Sequence, residues 1–209
     1  MSRKHGSQAL QFIAAGGVPA LRQAPAALIH SLMARKHVLP DRLKPGLTLV
    51  FCGTAAGRQS ALQKAYYAHA QNRFWQTLHE VGLTPRLFAP AEFALLWDLG
   101  IGLTDIAKFA YGMDHQLPAG ALGEKAAASL RARIARAAPR HLAFTSLTAG
   151  RAVMGPGAGA GEQPARLGDT RVWILPSPSP LAANHWDIAP WRALAKAVRE
   201  EQRVFNPLR

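Results

Sequence analysis

Apolar residues in this chain gather in short runs, and the strongest of these end in small or proline-rich turns. Residues 47–52 (LTLVFC), 141–146 (HLAFTS) and 172–176 (VWILP) are rich in β-branched or aromatic side chains and predict strands. Two of them deliver loops about 120 residues apart, GTAAG after the first and SPSPL after the last. Loops that follow parallel strands meet at one edge of an α/β sheet, and such an edge is where a site is built. Between the strands the apolar spacing turns helical. Phe74, Trp75, Leu78 and Val81 predict a helix over 72–81 that Gly82 ends, and Pro90 opens another that runs through Leu96. Residues 124–138 form an Ala/Arg-rich helix with Leu130 and Ile134 on its apolar face, stopped by Pro139. A short helix follows residue 146, and the last helix covers 187–204. A short extended piece is expected at 86–88. Residues 98–116, with three acids, and the Gly/Pro-rich 155–169 predict loops. Strands alternating with helices point to a three-layer α/β/α domain around a short central parallel sheet.

Charge changes this picture most. Lys and Arg number 25 against 12 Asp and Glu, a net +13, which favours an anionic partner. Residues 1–45 hold seven Lys/Arg and one acid, with Pro19, Pro25, Pro40 and Pro45 between helix-like pieces such as 26–35. They read as a basic arm before a domain at 46–209. No apolar stretch approaches the roughly 20 residues of a spanning helix, so a membrane is not expected as the anionic partner. At the start of the chain, Gln8 and Gln11 interrupt a run already short for a signal peptide. A cytoplasmic protein is expected.

Cys52 is the only cysteine, which leaves no intrachain disulfide and no cysteine cage for a metal. The eight histidines show no HExxH or HxH grouping. No metal and no cofactor are expected. Gly53 to Ser60 is not a phosphate-binding loop, because the Lys and its spacing are missing, and Gly100-Ile101-Gly102 lacks the third glycine of a dinucleotide fingerprint.

The order strand, G-x-x-x-G at Gly53 to Gly57, YYAHAQNRFW at Tyr66 to Trp75, and a late LPSPSP loop resembles the uracil-DNA glycosylase superfamily, nearest its mismatch-specific uracil/thymine branch. The likeness covers most of the chain from Leu47 to Phe205. It implies hydrolysis, without a metal, of the N-glycosidic bond of a base flipped out of DNA. The expected partner is DNA carrying a deaminated or mismatched base. The protein would act as a monomer, nucleoid-associated when bound.

By this resemblance Tyr67 stands where the branch has its stacking aromatic, beside Gly53, Thr54 and Ser177 as base-binding positions. Leu181 is the wedge that fills the vacated space, on a loop stiffened by Pro180, with Ser179 on a flanking phosphate and Lys108 as a further DNA contact. Asn72 offers a donor and an acceptor for a base edge, though an asparagine here is also a natural helix cap. Asp105, in a GLTD segment similar to a family loop beside the pocket, is the carboxylate expected near the sugar. The other reading of Asp105 is a surface pair with Lys108.

The departures are equally specific. Ala55 replaces the Asn that positions water in the mismatch-specific branch, and Ser177 stands where the uracil-specific branch has a His. A first loop without Asp or Asn, together with the NRFW block, is also similar to the hypoxanthine-DNA glycosylase branch, in which the Asn before RFW is implicated in catalysis. Asn72 and Asp105 are therefore the expected catalytic residues, and uracil is the first expected base. Hypoxanthine excision, a DNA-binding member without catalysis and action on free nucleosides remain as alternatives.

Overall fold

The computed structural model describes residues 36–205. The arm expectations for residues 1–35, including a helix at 26–35, lie outside the described residues. Residues 37–205 belong to one compact unit. Strands β1 (Leu49–Ala56), β2 (Ile101–Tyr111), β3 (His141–Phe144), β4 (Gly161–Glu162) and β5 (Arg171–Ile174) form one sheet in the order β2-β1-β3-β5-β4. The first four in that order run parallel, and two-residue β4 pairs antiparallel with β5 at the edge. Helices α1 (Arg58–Gln63), α2 (Phe74–Glu80), α3 (Glu124–Ala137), α4 (Leu147–Met154) and α5 (Ala189–Phe205) complete the three layers, with a 3-10 helix at Pro90–Trp97.

The two-residue period of a strand sends alternate side chains to two cores. Leu49, Phe51, Ala143 and Trp173 face Phe74, Leu78, Trp191 and Leu194 from α2 and α5. Val50, Cys52, Leu142, Phe144, Val172 and Ile174 face Leu130, Ile134, Ala149 and Val153 from α3 and α4. Phe51 anchors the first core, its ring 5.2 Å from Phe74 and stacked 5.7 Å from Trp191.

Two expectations change. Residues 98–116 contain β2, the longest strand, not a loop. Its polar residues Thr104, Asp105 and Lys108 are buried, so the strand lacks the apolar run by which the others are recognised. The expected arm boundary at 45 also moves towards the N-terminus. Leu39 is buried in the core, and Arg42 exchanges two backbone hydrogen bonds with Leu103, covering the outer edge of β2. Gly102 permits that approach, since a Cβ there would stand 2.5 Å from the Arg42 carbonyl oxygen.

Candidate active site

The carboxyl-terminal ends of β1, β2 and β3 bring together groups distant in sequence. Gly53 lies opposite Asp105 in the β1–β2 register. A Cβ placed on Gly53 would meet Asp105 Oδ1 at 2.7 Å, the Tyr67 hydroxyl at 3.6 Å and Thr145 Oγ1 at 3.8 Å. The absent side chain leaves the space in which these three groups converge.

Asp105 is 4% exposed. Among the described residues its carboxyl oxygens have no hydrogen-bond partner, while its backbone carbonyl accepts from Arg133 at 3.0 Å. Burial pushes the carboxyl up to about 6, against the opposing pull of Lys108 and Arg133. The expected surface pair of Asp105 with Lys108 is thus corrected, because both lie in the interior of a strand. Lys108 is 5% exposed and its amine is held by Asp41 at 2.8 Å. A lysine so enclosed cannot reach a phosphate without breaking that pair.

Tyr67 is held in an uncommon backbone state, φ +52°. Its ring stacks on Phe74 at 3.8 Å and 14°, and its hydroxyl lies 3.1 Å from Thr145 Oγ1. Burial, then the neighbouring Asp105, pushes the phenol well above its ordinary range, so it stays protonated. The preceding turn is locked by Ser60 Oγ, which accepts from Ala68 N at 3.1 Å, and by the Trp75 indole, which donates to the Tyr66 carbonyl at 3.2 Å. Thr145 was missed from sequence. Its signal was available, a hydroxyl residue immediately after the apolar run of β3.

Asn72 Oδ1 accepts from Phe74 N at 2.9 Å at the start of α2. That bond orients the amide and directs its donor nitrogen away from the helix end. The next residue joins the two expected loops, since Arg73 N donates to the Pro178 carbonyl at 2.9 Å. In the late loop Ser177 Oγ accepts from Ser179 N and Ser179 Oγ accepts from Leu181 N, ahead of a short 3-10 helix that Pro180 begins. Leu181 projects from it, 74% exposed. Thr54 is the expected residue that the structure sets apart. β1 alternation turns it from the Tyr67 side, and its hydroxyl donates to Asp114 at 2.6 Å.

The sequence model described as the uracil DNA glycosylase superfamily matches residues 40–200, which span β1 through most of α5 and include every group above. The chain belongs to the uracil DNA glycosylase superfamily. Its fold is similar to the solution NMR structure of "a putative Uracil DNA glycosylase" from Methanosarcina acetivorans, with a TM-score of 0.54 at 18% identity over 79% of this chain and 98% of that one.

A groove of about 860 Å³ lies at the opposite edge, lined by Arg131, Arg140, Arg171 and Glu201 among others. Arg171 there is committed to Glu162 at 2.7 Å and Glu201 at 3.2 Å. It sits at the amino ends of β3 and β5, the wrong edge of a parallel sheet for a site. No described helix is long and apolar enough to cross a membrane, and no three His, Cys, Asp or Glu among the described residues are grouped to hold a metal ion.

Proposed function

We propose that the protein hydrolyses the N-glycosidic bond of a deaminated base, uracil first, flipped out of DNA. The observation that carries this reading is the unpartnered Asp105 carboxyl, buried beside Gly53 and the Tyr67 hydroxyl. Cleavage passes through a sugar with oxocarbenium character and an anionic leaving base, so a carboxylate beside the sugar and N–H donors beside the base supply the useful charges. Raised to about 6, Asp105 is mostly ionised at pH 7 and able to accept a proton. As water adds to C1′, the C1′–N bond breaks, the bonding pair leaves with the base, and the water proton passes to Asp105.

Asn72, with Oδ1 committed to Phe74 N, presents its amide nitrogen to a base oxygen on which negative charge develops. Phe74 covers one face of Tyr67, so a flat base is taken on the other. Gly53 leaves room for it, and Ser177 lies on the adjoining loop. Leu181, exposed and carried on a loop stiffened by Pro180, fills the space that the base vacates. Ser179 Oγ accepts from Leu181 N, which leaves its O–H to donate to a flanking phosphate.

The test is single-turnover incubation with labelled oligonucleotides bearing uracil, hypoxanthine, xanthine or thymine, followed by alkaline cleavage of abasic sites. Abasic product from uracil is expected. Product from hypoxanthine alone replaces the base and keeps the chemistry. Binding without product from any of the four overturns the enzymatic reading in favour of a DNA-binding member.

A further inference from the structure

The loop that carries Leu181 is tied to the rest of the domain near its ends, and one residue holds both. Within residues 179–185 the hydrogen bonds stay local: Ser179 N donates to Ser177 Oγ at 3.3 Å, Leu181 N to Ser179 Oγ at 3.4 Å and Ala182 N to the Ser179 carbonyl at 3.0 Å. Among the described residues no hydrogen bond or ion pair links this segment to another element. Leu181, Ala183, Asn184 and His185 are exposed. At one end the Pro178 carbonyl accepts from Arg73 N at 2.9 Å. At the other the Arg73 guanidinium lies over the Trp186 ring, 5.4 Å from its centre.

Arg73 is itself well anchored. Its carbonyl accepts from Thr77 Oγ1 at 2.7 Å in the first turn of α2, and the next residue, Phe74, is buried and stacked on Tyr67. Trp186 rests in turn against Trp191 at 6.1 Å, whose indole donates to the Pro176 carbonyl at 3.0 Å. Among the described residues the Arg73 guanidinium has no carboxylate or hydrogen-bond partner, so no ion pair competes with the ring for it. A planar guanidinium is suited to lie on an aromatic face. A wedge acts by entering the base stack, so the loop behind it must not yield. Seven residues without a bond to the body of the domain yield readily unless both ends are fixed.

We propose that Arg73 is a positioning residue for base extrusion: its backbone N–H and its guanidinium grip the two ends of the Leu181 loop and hold the wedge in register with Asn72 and Tyr67. The inference rests on the wedge role given to Leu181 above and does not require cleavage. The backbone bond survives any side-chain replacement, so substitution reads the guanidinium end alone.

Extrusion is measured on duplexes in which 2-aminopurine stands beside a non-hydrolysable 2′-fluoro-deoxyuridine, since the probe brightens when its neighbour leaves the stack. Cleavage is measured on ordinary uracil duplexes in single turnover, with the salt dependence of binding alongside. Arg73→Ala should weaken the brightening and slow cleavage about two- to fivefold, the worth of a cation over a partly exposed ring. The loss should be larger for uracil opposite adenine than opposite guanine. Trp186→Leu should do the same, and the double variant no more than either. Arg73→Lys should keep most of the parental signal, and on a Leu181→Ala background Arg73→Ala should add nothing. Additive losses in the Arg73 and Trp186 double variant, or a full further loss from Arg73→Ala on Leu181→Ala, overturn the inference. So does a log-log salt slope lowered by about 0.9 in Arg73→Ala, which would put the guanidinium on a phosphate. Trp186→Leu, alone and combined with Leu181→Ala, remains decisive if Arg73→Ala does not fold. Extrusion that responds as expected in a protein that cleaves no uracil would overturn the proposed reaction and keep the inference. A parent that cleaves uracil without brightening the probe would overturn the inference and keep the reaction.

Discussion

Gly53 and Asp105 face each other across the β1–β2 ladder so closely that a methyl group on Gly53 would stand 2.7 Å from Asp105 Oδ1. The clash is with the end of a short side chain, so the carboxyl must swing away to admit it. Gly53→Ala should therefore fold and bind DNA while losing roughly 10- to 100-fold in single-turnover cleavage, the cost of a displacement near 1 Å. Parental cleavage by folded Gly53→Ala would remove the carboxyl from the chemistry.

Asp105→Asn should be more stable than the parent and nearly inactive. The folded carboxyl sits at about 6, above its ordinary 3.8, because burial disfavours its charge. A carboxyl raised on folding leaves stability intact at low pH and lowers it as pH rises from about 4 to about 6, where the unfolded chain has already released the proton. The loss amounts to roughly 3 kcal/mol. Urea midpoints should show the variant's advantage at pH 8 and much less of it at pH 4. An equal difference at both pH values contradicts the buried charge.

Asn72 has two separable duties. Asn72→Ala removes the acceptor for Phe74 N and should cost about 1 kcal/mol in stability, together with roughly 100-fold or more in cleavage. Asn72→Asp keeps an acceptor for the helix end but loses the amide donors. It should retain most of the stability and none of the rate. If Asn72→Asp cleaves like the parent, Asn72 is a cap alone.

Leu181→Ala should act on base extrusion, not on the chemical step. A missing wedge raises the cost of holding the base out of the helix, and the cost is least for a base already weakly stacked in a mismatch. Cleavage should fall more for uracil opposite adenine than for uracil opposite guanine. Equal losses on the two substrates would count against a wedge.

Residues 1–35 carry Arg3, Lys4, Arg22 and Arg35 and no acid. Deleting them should weaken binding across all DNA sequences and flatten its salt dependence, by about 0.9 in log-log slope for each phosphate of duplex DNA that is no longer neutralised. The preference among lesions should not change. An unaltered slope would show that these charges do not meet the backbone.

The apolar runs that became β1, β3 and β5 and the helical spacing of α2, α3 and α5 were legible along the chain, because burial on one or two faces imposes a period that neighbouring residues express. The small and proline-rich turns after β1 and β5 marked the site's edge for the same reason, and the NRFW block with the late SPSPL loop carried the family. The second strand was not legible. Thr104 and Lys108 are tolerable in a buried strand because Asp41, 63 residues before Thr104, bonds both of them and Arg133, 29 residues after Thr104, bonds the threonine. Local pattern cannot register partners that far apart, so a strand full of paired polar groups reads as a loop. The same limit applied to the site. Asp105 could be named from its segment, but its burial and raised affinity for a proton come from the strands and helix packed around it. Only the assembled fold placed Thr145 beside Tyr67, moved Thr54 to Asp114 and turned Lys108 inward, because each of those meetings is made across the sheet and none along the chain.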